Sequence, residues 1–306
     1  MGSNGRHNHR ARIDLPRLLG GRKRTAFVLS GGGSLGATQV GMMRALLEAG
    51  IEPDLLIGSS VGSVNSAWVG AWPALDGVDK LAEIWTSLRR DDVFPLGWTA
   101  AMGLLGRGKH LISNDKLRSI LERHLPYERL EQAEIPVHVV TTELRSGRAI
   151  VLSSGPAVPA LLASCAIPGV FPPVTIGRHE LVDGGVANHT PISAAYELGA
   201  RVIYVLPIGY PWLYEEPANA LGMALQALAR LVEQRLEIDV ATYGGLADIR
   251  VVQAVDALPV SPADFSHTRE LIDRGYASAK RLLQGGEAPA PKLETAPKMK
   301  GAEAAA

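Results

Sequence analysis

The sequence predicts an α/β protein on a mostly parallel sheet, and two strand–helix successions near its start predict it. Thr25-Ala26-Phe27-Val28-Leu29-Ser30 is an apolar run of strand length. Gly31-Gly32-Gly33-Ser34-Leu35-Gly36 follows at once, and Val40, Met43 and Leu47 then mark one face of a helix that ends at Gly50. Leu55-Leu56-Ile57 is a second short apolar run, led in by Ile51 to Asp54 and stopped at Gly58. Val61, Val64, Trp68 and Ala71 carry the second helix. Strand, loop, helix, strand, turn and helix within the first 70 or so residues imply parallel strands joined by a right-handed crossover.

Further along, Trp72-Pro73 closes the second helix, and Val78, Leu81, Ile84, Trp85 and Leu88 make another amphipathic one. Residues 91–112 are irregular and apolar, consistent with a lid, a lipid-facing patch or a helix folded over the core. Ser113 or Asn114 caps a helix to about Leu125. Pro136 to Thr142 and Arg148 to Ser153 read as paired strands. Val158 to Cys165 reads as a short helix, and the proline-dense Ala166 to Pro173 as a rigid extended loop. Glu180-Leu181-Val182 is a brief strand before Asp183-Gly184-Gly185. A helix to Gly199, a strand Val202 to Leu206, a long helix from Leu221 to about Val240, a strand at Arg250-Val251-Val252 and a helix from Arg269 to Leu283 complete the chain.

Composition narrows the function. The 31 basic and 31 acidic residues cancel, which argues against a polyanionic partner such as nucleic acid. Seven of the basic residues crowd into residues 1–24, which read as a disordered arm; its sharper use would be weak attraction to anionic lipid head groups. A single cysteine, Cys165, excludes an internal disulfide. No signal peptide or bilayer-length apolar run is evident, so the expected location is cytoplasmic, with peripheral membrane contact as the second reading. Residues after 283 are Ala, Pro, Lys and Glu without periodicity and read as a disordered tail.

The chemistry centres on Gly58-Ser59-Ser60-Val61-Gly62. With 33 glycines in the chain such a pentapeptide is weak by itself, but a strand before it and a helix after it are the setting of a nucleophile elbow, with Ser60 as nucleophile. The Gly31–Gly36 loop admits two readings. Gly31, Gly33 and Gly36 fit a dinucleotide fingerprint, yet the acid such a site needs at the end of the second strand is absent there: Asp54 precedes that strand. The other reading is an oxyanion hole, with the Gly32 and Gly33 N–H groups turned toward one point. Both the loop and Ser60 project from carboxyl ends of parallel strands, so they can meet. For the base, His189 is the best placed of eight histidines, and Asp183 is its competitor if burial raises its proton affinity.

Taken together, Gly31–Gly36, Gly58–Gly62 and Asp183-Gly184-Gly185, with the flanking runs Ala163–Pro173 and Val186–Pro191, resemble the patatin-like phospholipase family over about Thr25 to Leu206. The resemblance implies a three-layer α/β/α domain and a serine lipid acyl hydrolase with a Ser60–Asp183 dyad and no catalytic histidine. It further implies an oxyanion hole from Gly31, Gly32, Gly33 and Gly36, a fatty acyl ester substrate, and no metal or other cofactor. Many members carry Arg or Lys where this chain has Leu35; the backbone donors survive that change. The expected organisation is an arm over 1–24, a catalytic domain over 25–283 and a tail over 284–306. The remaining readings are a Ser–His–Asp esterase using His189 and a non-enzymatic nucleotide- or lipid-binding module.

Overall fold

A computed structural model describes residues 22–95, 110–209, 220–253 and 258–285. The greater part of the basic arm, most of the 91–112 segment and nearly all of the tail lie outside the described residues. Strands β1 (Thr25–Leu29), β2 (Leu55–Ser59), β3 (Val137–Glu143), β7 (Val202–Leu206) and β8 (Asp248–Val251) run parallel in the order β3-β2-β1-β7-β8. Antiparallel pairing adds β4 (Ala149–Leu152) and β6 (His179–Asp183) to β3, and β5 (Val174–Ile176) to β6.

Every residue of β1 and β2 is buried, as expected of strands covered on both faces. Alternation then sends Phe27, Leu29, Leu56, Tyr204 and Leu206 to one core and Ala26, Val28, Leu55, Ile57, Ile203 and Val205 to the other. The first core is roofed by α1 (Ala37–Glu48), α2 (Val61–Ala71), α3 (Leu75–Ser87), α5 (Asp115–His124), α6 (Ala157–Ser164) and α10 (Thr268–Leu283); α4 (Arg90–Val93) is a single turn between α3 and α5. The second core is closed by α8 (Ile192–Glu197) and α9 (Ala220–Tyr243). Helices on both faces make this a three-layer α/β/α domain, as the family resemblance implies.

Four expectations change. Helix α1 is buried on nearly every side, not on the Val40–Met43–Leu47 face alone. The cause is α10: Gly41 and Gly275 let the two helices meet backbone to backbone, and a methyl group built on Gly41 would lie 1.9 Å from the Ile272 carbonyl oxygen. The proline-dense loop is not uniformly extended. It turns over Pro168–Val170 and then forms β5, which the sequence reading lacks. The segment after Asp183 coils into one helical turn, α7 (Gly185–Asn188). Arg22 and Arg24, assigned to the arm, bind the domain through the Asp54 carboxylate and the Leu198 carbonyl.

Strand β3 decides where the chemistry meets. Val139 and Val140 pair with both β2 and β4, so β2 and β4 lie on opposite edges of β3; Thr141 and Thr142 pair with both β4 and β6. Strands β2 and β6 therefore share one edge, end to end. Ser59 faces Val140, and Asp183 faces the next residue, Thr141. This register delivers Asp183 to the point where β2 stops.

Substituting Gly41→Ala is expected to lower unfolding stability by roughly 2 kcal/mol or more, because neither helix backbone can yield to the new methyl group. Gly245→Ala, which meets nothing within 4 Å, is the control and is expected to change it by less than about 1 kcal/mol. Chemical denaturation of both variants checks this.

Candidate active site

Ser60 closes the turn between β2 and α2 at φ 52° and ψ −129°, the one positive φ on a non-glycine among the described residues. Such a conformation costs about 1–3 kcal/mol and persists only where neighbours hold it. The flanking glycines admit it. A methyl group on Gly58 would lie 2.2 Å from the Gly62 backbone, and one on Gly62 would lie 2.4 Å from the Leu29 carbonyl oxygen. The turn is also tied down from outside. The Ser60 N–H donates to Ser164 Oγ at 2.9 Å, and that hydroxyl donates to the Val140 carbonyl at 2.6 Å.

The Asp183 carboxylate lies close enough to the Ser60 hydroxyl for that hydroxyl to favour its charged form, and its Oδ1 accepts a hydrogen bond from the Gly185 N–H at 2.7 Å. Burial pushes this carboxyl up to about 6, against the two hydrogen bonds that favour its charged form. Cys165 touches Ser60 as well, and burial raises its thiol far above the usual range, so it stays protonated.

The glycine loop sits opposite. Gly33–Gly36 form a short 3-10 turn, entered through Gly32 at φ 148° and Gly33 at φ 60°. The Ser34 N–H is taken by the Pro262 carbonyl at 2.8 Å, and Ser34 Oγ donates to the Ser261 carbonyl at 3.2 Å. The Gly32 and Gly33 N–H groups have no such acceptor among the described residues. Beneath, a buried polar chain links loop to helices. Gln39 Nε2 donates to the Ser30 and Leu206 carbonyls, Asn65 Nδ2 donates to Gln39 Oε1 and the Gly36 carbonyl, and Trp85 Nε1 donates to Asn65 Oδ1, all within 2.9–3.0 Å. Leu35, where a basic residue was the comparison, is 2% exposed and packs in the first core.

An apolar cleft enclosing about 900 Å³, its open mouth included, starts at Ser60 and Gly33 and follows α2 past Val61 and Val64 to Trp68. Helices α3 and α5 and the rings of Trp85, Phe94, Phe171 and Phe265 form its other walls. His124 stands at the far end, edge-on to Trp68.

The histidines sort by location. His138, within β3, is buried with Nδ1 2.7 Å from Ser153 Oγ, and burial takes it down to about 4. His179 pairs with Glu143, and His267 lies near Asp264. His189 does reach the site: a methyl group on Gly185 would lie 2.9 Å from His189 Nδ1 and 3.0 Å from Asp183 Oδ1. Its imidazole, lowered to about 4 by burial, hydrogen-bonds the Gly31 backbone. Asp54, the acid of the nucleotide reading, binds Arg22 and the Thr25 N–H at the amino end of the sheet, away from the glycine loop. Among the described residues no group of three His, Cys, Asp or Glu side chains could hold a metal.

Sequence reasoning missed Ser164, Gln39, Asn65 and the 258–265 segment. None has a chemical signature in its neighbourhood; Ser164 falls in a run noticed only through the family resemblance. Two parts of the stretch that carried no motif, Ile208 and Ser261–Pro262, lie against the glycine loop. Besides Ser261 and Pro262, Ile208 packs against Gly32 and donates its N–H to Ser30 Oγ at 2.9 Å.

A serine beside a buried carboxylate, in an apolar cleft that Gly33 also lines, is the candidate site of this α/β/α domain. The patatin-like phospholipase model matches residues 27–196, and the chain belongs to that family. Curated relatives include patatin-like phospholipase domain-containing protein 7 of Rattus norvegicus, 28% identical over 64% of this chain and 14% of its own length. Lysophospholipase NTE1 of Phaeosphaeria nodorum is 28% identical over 87% of this chain and 18% of its own length. The chain thus spans less than a fifth of these relatives. Among solved structures, VipD of Legionella pneumophila aligns with a TM-score of 0.47 at 15% identity, covering 86% of this chain and 67% of its own. Human GIVD cytosolic phospholipase A2 aligns at 0.45 and 12%, covering 86% and 59%.

Asp183→Asn is expected to stabilise the fold near neutral pH. The folded-state pKa lies above the ordinary carboxyl value of 3.8, so the contribution of Asp183 to stability is full below about 3.8 and is lost as pH rises through about 6. Thermal melts should show the variant about 2–6 °C above wild type near pH 7.5, with the difference closing as pH falls toward 4.

Proposed function

We propose that the chain is a serine lipid acyl hydrolase that cleaves a fatty acyl ester through an acyl-enzyme on Ser60. The observation that carries the reading is the contact of the Ser60 hydroxyl with a buried carboxylate whose proton affinity is raised. A carboxylate titrating near 6 is a far better base toward an alcohol than one near its ordinary value, and it remains ionised at neutral pH. Asp183 takes the Ser60 proton as Ser60 Oγ attacks the ester carbonyl. The oxygen of the tetrahedral intermediate rests on the Gly32 and Gly33 N–H groups, with the amino end of α2 adding its positive dipole end. The alcohol leaves with the proton from Asp183. Water, deprotonated by the same carboxylate, then attacks the acyl carbonyl and frees the fatty acid and Ser60.

The β2–α2 turn in this reading is a nucleophile elbow, and the strain at Ser60 is the cost of aiming its oxygen at the cleft. The apolar walls along α2 fit one acyl chain and offer little to a charged head group, which would remain at the mouth. The family membership supports the lipid class, and the lysophospholipase and phospholipase names of relatives agree with it.

The test is labelling by an alkyl fluorophosphonate together with hydrolysis of a p-nitrophenyl ester series. Wild type is expected to be labelled on Ser60 and to turn over, with Ser60→Ala unlabelled and Asp183→Asn at least about 10³-fold slower. A wild type that is neither labelled nor active on any ester would remove the proposal. In the wild type, kcat/KM is expected to fall as pH drops through about 6, the pKa of the base. A profile flat from pH 5 to 8 would assign the proton to another group.

A further inference from the structure

We propose that His189 is a positioning residue that sets the peptide plane of the oxyanion loop. This rests on the reading of the Gly32 N–H as an oxyanion donor, and it gives the histidine of the Asp-Gly-Gly segment a role other than base.

Three observations converge. First, the ring lies against the loop. A methyl group built on Gly31 would come within 3.0 Å of His189 Cε1 and 3.4 Å of its Nδ1, and within 3.1 Å of Ser60 Cβ. Second, the imidazole donates to the Gly31 carbonyl. Ser30 Oγ reaches the same oxygen at 3.4 Å, the long limit of a hydrogen bond, and is engaged at 2.9 Å by the Ile208 N–H. Third, the loop has little stiffness of its own. Gly31, Gly32 and Gly33 follow one another, and Gly32 and Gly33 sit at positive φ, so the Gly31–Gly32 peptide can rotate at low cost.

A trans peptide carries its C=O and N–H on opposite sides of one plane. Holding the Gly31 oxygen on the His189 side therefore turns the Gly32 N–H the other way, with the unclaimed Gly33 N–H next to it. Burial keeps the imidazole neutral at working pH, so it carries one N–H, and that proton is committed to Gly31. A preorganised donor costs no reorientation when charge develops on the substrate oxygen; a freely rotating one does. The helical turn α7 (Gly185–Asn188) that follows Asp183 carries His189 to the loop. The segment that bears Asp183 thus also anchors the donor loop.

The experiment compares wild type with His189→Ala, His189→Asn and His189→Gln. The Asn amide nitrogen falls near the place of Nδ1 and the Gln one near that of Nε2, so one of them restores a donor to Gly31. His189→Ala is expected to lose roughly 10- to 100-fold in kcat, less than complete loss of an oxyanion donor, with KM within about threefold of wild type. One of the two amide variants is expected to recover most of that loss. Ser60 labelling by the fluorophosphonate should slow in His189→Ala but still go to completion. Amide exchange of Gly32, followed in protein labelled with 15N-glycine, should be faster in His189→Ala and restored in the active amide variant.

Wild-type kcat in His189→Ala overturns the proposal. So does equal and total loss in all three variants with Ser60 unlabelled, which would make His189 the base. Should wild type itself be inert toward ester and fluorophosphonate, the hydrolase reading fails separately; Gly32 exchange then decides the His189–Gly31 anchor, and exchange unchanged in His189→Ala overturns it.

Discussion

One edge of β3 serves two strands, and the site depends on that sharing. Strand β2 occupies the edge up to Val140, and β6 takes it over from Thr141 in the opposite direction. A strand cannot be extended past a residue held at φ 52°, so the strain at Ser60 is also what vacates the edge for β6. Asp183, the last residue of β6, is thereby brought beside Ser60 although the two are far apart in the chain. Sheet register, and not loop flexibility, sets their separation.

Around that junction the neighbours are mostly hydrogen-bonded backbone groups and buried polar side chains. Ser164 links the Ser60 N–H to the Val140 carbonyl, and the Gln39–Asn65–Trp85 chain ties the glycine loop to α1, α2 and α3. In a low-dielectric interior such chains are strong when every member is satisfied. They hold a turn and a glycine-rich loop, both intrinsically poor at keeping one conformation, as fixed parts of a rigid scaffold. The 258–265 segment and Ile208 complete this support from the opposite direction in sequence.

Burial works on the two titratable groups in opposite senses. It raises the carboxyl of Asp183 to about 6 and lowers the imidazole of His189 to about 4. The same dry surroundings therefore leave a carboxylate that accepts a proton more readily and a neutral histidine whose proton is a hydrogen-bond donor. In the proposed reaction the division of labour between the two follows from charge: desolvation makes the anion more basic and the cation less available.

Much of this was legible in the chain. Continuous apolar runs of strand length, glycine punctuation and helical spacing determined an α/β fold with parallel strands, because those patterns answer to local backbone sterics and to which faces are buried. The glycines at 58 and 62 announced a tight turn around Ser60 for the same local reason. Even the amino-end position of Asp54, which weakens a nucleotide reading, could be read from strand order. Other features had no local cause. Which of Asp183 and His189 touches Ser60 depends on the register of β6 against β3, a long-range pairing. Helix α1 reads as amphipathic but is enclosed, because Gly41 meets the backbone of Ile272 and Tyr276, and Gly275 that of Thr38, on a helix more than two hundred residues on. Ser164, Gln39 and Asn65 are ordinary polar residues until the fold buries them and assigns each a partner. Sequence by itself determined what is set by neighbours along the chain; tertiary structure decided what depends on burial, on hydrogen-bond partners and on strands that meet across a sheet.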